Sequence, residues 1–309
     1  MLELKNVTKK YGDFCAVKDL SFKVEEGKIV GLIGPNGAGK STTIRMIMNI
    51  INPNSGEIIL DGQNLTIQDK DKIGYLPEER GLYKKETVVN MLTYLASLKG
   101  MSKQDINKEI DKWLKKFGLF EWKYKKLENL SKGMSQKIQF ISTILHNPKI
   151  IFLDEPFSGL DPVSSDELLS IIKELKQDGR IILFSTHIME TAELICDHIV
   201  MINHGQKILD GTLQEIRQQF GSNSITIECN GQPNYLQKIQ GIIDVKERGN
   251  QYDITFDINI EINDLLIEII TKAKENNCLI NSYKVSQPSL HSIFVSLANE
   301  KTIKSLGDN

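Results

Sequence analysis

No stretch of the 309 residues offers the roughly 20 successive apolar side chains that a membrane-crossing helix needs. Any membrane role is therefore expected to come through a partner chain. The opening Met1-Leu2-Glu3-Leu4-Lys5 lacks a charged start followed by an apolar block, so no leader peptide is expected. Cysteine is scarce: Cys15, Cys196, Cys229 and Cys278 are scattered, with no CxxC pair. That pattern argues against a disulfide framework or a thiolate zinc site and fits reduced thiols in the cytosol. An excess of one charge is also missing. The 38 Lys and Arg against 40 Asp and Glu leave a net charge of −2, so no global basic field holds nucleic acid. There is no internal repeat and no low-complexity tract.

What is present is the make-up of a folded chain, 40% hydrophobic and 25% charged. The length exceeds a typical single domain, and two are expected. Leu2, Leu4 and Val7, followed after Tyr11-Gly12-Asp13 by the run from Ala16 to Val24, read as antiparallel sheet. Ile29 to Ile33 reads as a short buried strand, and a helix is expected over about 41–50. From about 86 to 140 apolar residues recur at three to four residue spacing, as in Val88, Met91, Leu92 and Leu95 or Ile110, Trp113, Leu114 and Phe117. Ile150 to Leu153 and Ile181 to Phe184 are two further buried strands, with a helix at about 164–177 between them. Buried strands joined by helices argue for a parallel α/β sheet. After Gly211 the character changes. A closing helix over 213–220 and a Gly221-Ser222-Asn223 linker lead into segments ordered β-α-β-β-α-β, with helical stretches at 235–239 and 262–274. That order is ferredoxin-like. A last helix is expected over about 289–298.

The strongest chemical signal is Gly34-Pro35-Asn36-Gly37-Ala38-Gly39-Lys40-Ser41-Thr42. It matches G-x-x-x-x-G-K-S/T and lies between a strand and a helix. The glycines let successive backbone N–H groups turn toward phosphate oxygens, and the helix N-terminus adds partial positive charge. Lys40 is expected to reach the β- and γ-phosphates and Ser41 to ligate Mg²⁺. The second signal is Ile150-Ile151-Phe152-Leu153-Asp154-Glu155, a buried strand ending in two adjacent carboxylates. Asp154 is expected to hold the Mg²⁺ shell and Glu155 to accept a proton from the attacking water.

These two motifs say only that the chain handles a nucleoside triphosphate. Leu130-Ser131-Lys132-Gly133-Met134-Ser135-Gln136-Lys137 resembles the L-S-G-G-Q signature of ABC-type ATPases. Ser158-Gly159-Leu160-Asp161 resembles that family's D-loop, Ser185-Thr186-His187 its switch histidine, and Tyr11 stands where the family stacks an aromatic ring on adenine. The elements occur in the family's order across about residues 1–220. The resemblance implies a P-loop ABC ATPase core with an antiparallel β subdomain and a helical subdomain at about 84–140. A small ferredoxin-like α+β domain would occupy 221–309. It implies ATP and Mg²⁺ as ligands. It also implies a head-to-tail dimer in which the signature of one copy, with Ser131 and Gly133, closes over nucleotide held by the other, an Asp161 at the nucleotide, and a His187 that senses the γ-phosphate.

Two positions depart from the family pattern. Where the family's Q-loop offers glutamine, Tyr75-Leu76-Pro77 leads to Glu78, which can accept but not donate and brings charge near Asp154 and Glu155. Its oxygen remains a possible Mg²⁺ ligand. The signature carries Lys132 and Met134 in place of glycine and glutamine. At the C-terminus, Gln287-Pro288-Ser289-Leu290-His291-Ser292-Ile293-Phe294 resembles the ending of sodium-export-like and drug-export-like ABC cassettes. The resemblance thus implies an ATPase subunit powering an exporter. It would sit at the inner face of the cell membrane through a separate permease chain, met in part by the Lys84 to Gly100 region. The alternative is a soluble ABC-type ATPase acting on ribosome or nucleic acid. A single P-loop, no basic excess and too short an 85–130 interval for a coiled-coil insertion speak against it.

Overall fold

A computed structural model describes residues 1–297 except 79–80, 221–222, 232, 258–259, 287–288, 292 and 296. Two compact units form, Met1–Thr212 and a second that begins at Leu213. The division precedes the helix over 213–220, which starts the second unit.

The first unit opens with a hairpin of β1 (Leu2–Tyr11) and β2 (Phe14–Val24). Gly12, at φ 58, makes the two-residue turn that sets Tyr11 directly opposite Phe14. β3 (Ile29–Ile33) is buried along its length and runs through the glycine-rich loop into α1 (Lys40–Ile47). β4 (Ser55–Leu60) and β5 (Gln63–Asn64) complete an antiparallel sheet of order β2-β1-β4-β5. β6 (Ile73–Leu76) then begins the main sheet.

The helical pattern resolves into α2 (Val88–Leu98), α3 (Lys103–Lys116) and α4 (Lys132–Ile144). Each starts at a hydroxyl side chain that accepts a backbone N–H: Thr87 from Asn90, Ser102 from Asp105, and Ser131 from Met134. Ile106, Ile110, Trp113 and Leu114 form the buried stripe of α3. β7 (Ile150–Asp154), α5 (Pro162–Gln177) and β8 (Ile181–Thr186) follow, then α6 (Met189–Ile195), β9 (His198–Asn203) and β10 (Gln206–Gly211).

The six-stranded sheet has the order β10-β9-β3-β8-β7-β6, parallel except for the β9–β10 pair. Strand alternation divides its residues between two cores. Ile150 and Phe152 of β7 pack with Leu2, Leu4, Val7 and Ile44 between the sheets. Ile151 and Leu153 pack with Leu92, Ile110, Phe140 and Leu168 beneath the helices. Full burial of each such side chain is worth about 1.5–3 kcal/mol. The consequence for function is positional. β3, β8, β7 and β6 run parallel and end at one edge, delivering the 34–42 loop, His187, Asp154-Glu155 and Glu78 there.

In the second unit α7 (Leu213–Phe220) precedes β11 (Asn223–Asn230), β12 (Ile242–Arg248), β13 (Gln251–Phe256), α8 (Ile262–Glu275) and β14 (Leu279–Ser286). The antiparallel order β12-β13-β11-β14 is the ferredoxin-like arrangement expected. Its core holds Ile225, Ile227, Ile254, Phe256, Leu265 and Ile269. The first crossover is one 3₁₀ turn, Leu236–Lys238, because the segment is too short to repay helix nucleation. Of the expected last helix, residues 290, 291, 293–295 and 297 are helical. Ser292, Ser296 and residue 298 of that expected helix, and Gln287 and Pro288 of the C-terminal motif, lie outside the described residues.

Candidate active site

The loop leaving β3 reaches α1 through Gly39, whose φ of 107 only glycine adopts without strain. No side chain caps α1 and its first turn holds no acidic residue, so its leading N–H groups stay available to an anion. Close approach of backbone also demands glycine: a Cβ on Gly34 would lie 2.1 Å from the Ile202 carbonyl and one on Gly39 2.6 Å from that of Ala16. Gly37, by contrast, faces open space.

Lys40 is buried and donates to the carbonyls of Gly34 (2.7 Å) and Pro35 (3.1 Å). Loss of water pulls its ammonium below the usual lysine range, partly offset by the charges of Glu155, Asp154 and Glu78.

At the end of β7, burial raises the Asp154 carboxyl above the usual aspartate range. A hydrogen bond from Ser185 opposes this, and the charges of Glu78 and Glu155 add to it. Glu155 leaves the strand with φ 47, a conformation uncommon outside glycine. Its backbone N–H donates to the Ser185 carbonyl at 3.0 Å. Its carboxylate accepts from the Thr186 hydroxyl at 2.9 Å on Oε2 and from the His187 backbone N–H at 2.8 Å on Oε1. The His187 ring Nδ1 lies 2.5 Å from that same Oε1.

A cavity of about 250 Å³ joins these groups. Asn36, Gly37, Gly39, Lys40, Ser41, Thr42, Glu78, Asp154 and Glu155 line it, together with Phe14 and Ala16. Gly34, Pro35 and Ala38 shape the loop from behind, and His187 reaches the site through Glu155. Phe14 went unnoticed in the sequence; the signal was the Gly12-Asp13 turn, which makes residues 11 and 14 a cross-strand pair. Tyr11 stands beside the cavity lining, its ring under the Lys9 ammonium at 5.4 Å.

Ser131, Gly133 and Asp161 gather in a second cluster. Ser131 and Asp161 cap α4 and α5, and a Cβ on Gly133 would sit 3.8–3.9 Å from Leu160, Ser164 and Asp161. The Lys132 side chain lies over Gly159, where an added Cβ would meet its Nζ at 2.6 Å. None of these residues lines the Lys40 cavity.

The donor set fits a triphosphate with a hard divalent ion. Uncapped helix N–H groups and a buried cation face the Ser41 hydroxyl and carboxylate oxygens across one cavity. Among the described residues no three His, Cys, Asp or Glu side chains form a metal-binding group.

Comparison with known proteins agrees. The ABC transporter family profile matches residues 17–158, and the profile of the C-terminal domain of DrrA1-3-like ATP-binding proteins matches residues 211–298. An uncharacterized ABC transporter ATP-binding protein of Bacillus subtilis, YhaQ, is 41% identical over 295 residues, 96% of this chain and 97% of the relative. The linearmycin resistance ATP-binding protein LnrL of the same organism is 31% identical over 304 residues, 96% of this chain and 98% of the relative. The dimeric structure of the cassette MJ0796 in a post-hydrolysis state, bound to ADP and Pi, superposes with a TM-score of 0.63 at 27% identity. It covers 69% of this chain and 99% of that one. Fold, phosphate loop and relatives along nearly the full length place this chain in the ABC transporter family, as one of its ATP-binding, ATP-hydrolysing subunits.

Proposed function

We propose that this subunit drives an exporter whose permease is a separate chain, and that it works as a head-to-tail pair of copies with Mg²⁺-bound ATP buried between them. The division of the site carries this reading. The cavity around Lys40 holds the phosphate-loop donors and the carboxylates, while the Ser131, Gly133 and Asp161 cluster contributes nothing to its lining. A second copy supplies the missing wall. Export is favoured by the likeness to LnrL, whose name ties it to linearmycin resistance.

In this reading the 34–42 loop and Lys40 hold the β- and γ-phosphates. The purine ring rests on the Tyr11–Phe14 hairpin tip, and Ser41 and Asp154 hold Mg²⁺, with Glu78 beside them. The metal supplies positive charge at the phosphates. Glu155 takes the proton of the attacking water, and His187 turns from Glu155 toward the γ-phosphate when that group is present. Ser131, Gly133 and Asp161 face the nucleotide of the other copy.

No helix among the described residues is long and apolar enough to cross a membrane. The proposed permease contact is the groove of about 610 Å³ lined by Tyr83, Lys84, Lys85, Glu86, Asn90, Met91 and Tyr94. An edge-on pair of tyrosine rings 6.4 Å apart forms part of its wall. It lies close in sequence to Glu78, so the partner would meet the chain near the nucleotide site, at the inner face of the membrane.

The test is co-purification of tagged Glu155→Gln protein from native membranes in mild detergent with ATP and Mg²⁺. A stoichiometric multi-helix membrane protein and a dimeric cassette are expected. Recovery of a dimer bound to ribosomes or nucleic acid instead would overturn the transporter assignment.

A further inference from the structure

Two consecutive carboxylates at the end of β7 face two consecutive hydroxyls at the end of β8. The parallel register pairs Asp154 with Ser185, and the chain beyond brings Thr186 to Glu155. The phosphate loop and the switch histidine account for neither hydroxyl.

Thr186 is held on every side. It is 1% exposed, and its backbone lies in register with Ile33 of β3, the residue that enters the phosphate loop. The Ile188 N–H donates to its Oγ1 at 3.0 Å, which leaves the hydroxyl proton to be given to Glu155 Oε2 at 2.9 Å. Oε1 is held differently. Its partner is His187, whose side chain is 49% exposed and therefore free to leave. Oε2 is thus anchored by a buried hydroxyl, while Oε1 is shared between the His187 backbone N–H at 2.8 Å and an exposed ring.

We propose that Thr186 is a positioning residue for Glu155. Its hydroxyl keeps Oε2 fixed throughout the cycle, so that departure of the His187 ring opens a lone pair of Oε1, still held by the His187 backbone N–H, to the water. The inference rests on the assignment of Glu155 as the base. It adds that the base is aimed by a residue that never touches nucleotide, on a strand aligned with the one that feeds the phosphate loop. A Glu155 carboxylate without this anchor keeps its burial and its backbone strain but loses a defined rotamer.

The experiment compares Thr186→Val, which keeps the β-branched shape, with Thr186→Ser, which keeps the hydroxyl, in the full chain. Hydrolysis is followed with and without Glu155→Gln, and binding of a fluorescent ATP analogue is followed in every variant. T186V should lower kcat about 10- to 100-fold, a share of what a general base contributes, with KM and analogue affinity within about twofold. T186S should recover most of the loss. E155Q/T186V should turn over no more slowly than E155Q, because the two changes remove one function. Three results would overturn the inference: a T186V effect confined to KM, an equal further loss in the E155Q background, or loss of analogue binding in E155Q/T186V, which would make Thr186 a structural residue. If E155Q hydrolyses at the parent rate, Glu155 itself is misassigned. If E155Q is inactive and T186V matches the parent, only the role of Thr186 fails.

Discussion

The ring Nε2 of His146 lies 3.1 Å from the carbonyl oxygen of Ile73, the first residue of β6, and the Lys99 ammonium lies 3.3 Å from that same oxygen. Burial, helped by the nearby Lys99 charge, pushes the imidazole down from its ordinary 6.5 to about 4. The neutral ring is therefore the form the fold prefers. Above pH 6.5 folded and unfolded chains bind the same number of protons here. Between 6.5 and about 4 the unfolded chain takes up a proton that the folded chain refuses, so stability falls as pH falls.

His146→Gln should remove this dependence while keeping an amide donor for Ile73. The parent should lose about 2–3 kcal/mol relative to the variant between pH 7 and pH 4.5, measured by urea unfolding at each pH. A constant difference between the two proteins across that range would refute the assignment.

The phosphate loop gives a prediction about glycine. Gly34→Ala sets a Cβ against the Ile202 carbonyl, and backbone cannot yield as a flexible side chain can. It should cost more than about 3 kcal/mol or prevent folding. Gly37→Ala meets nothing within 4 Å and pays only for its left-handed φ of 80, about 1 kcal/mol. Thermal melts of the two variants should rank in that order.

The same contrast shows how much of the site was legible beforehand. Lys40, Ser41, Asp154 and Glu155 announce themselves because a loop and a strand end carry local chemistry, and the structure brings all four to one cavity. Phe14, Ser185 and Thr186 were silent as chemistry because their partners are set by pairing across strands: Tyr11 to Phe14 in the hairpin, Asp154 to Ser185 in the parallel ladder. Lys132 shows in the sequence only as a departure from the signature, since only the fold places Gly159 beneath its side chain. In the fold itself, buried runs such as Ile150–Leu153 declared the central strands. β9 and β10 were passed over, because their short apolar stretch is interrupted by Asn203-His204-Gly205 and offers no helix between strands.

His187 provides a kinetic prediction. Its backbone N–H holds Glu155 whatever its side chain, so His187→Ala removes the ring contact and leaves the 2.8 Å bond in place. Analogue affinity should stay within about threefold of the parent while kcat falls roughly 10- to 100-fold. A fall in affinity with unchanged kcat would mean that the ring's contact with the γ-phosphate serves binding rather than the chemical step.

Glu78 stands where the family resemblance calls for glutamine, and it lines the cavity beside Asp154, Glu155 and Lys40. Burial is the main reason the Asp154 carboxyl is raised, and the Glu78 charge adds to it. A carboxylate beside a phosphate site repels the phosphates unless a cation intervenes, which makes nucleotide binding lean on the metal. Glu78→Gln keeps the shape and removes the charge. In the presence of EDTA the variant should bind a fluorescent ATP analogue roughly 3- to 10-fold more tightly than the parent, the scale of one partly screened charge pair. With saturating Mg²⁺ the gap should narrow, because the ion already cancels the repulsion. Equal affinities in EDTA would mean that Glu78 turns away from the phosphates when nucleotide enters. Weaker binding in Mg²⁺ would make its oxygen a metal ligand whose loss outweighs the relief of charge.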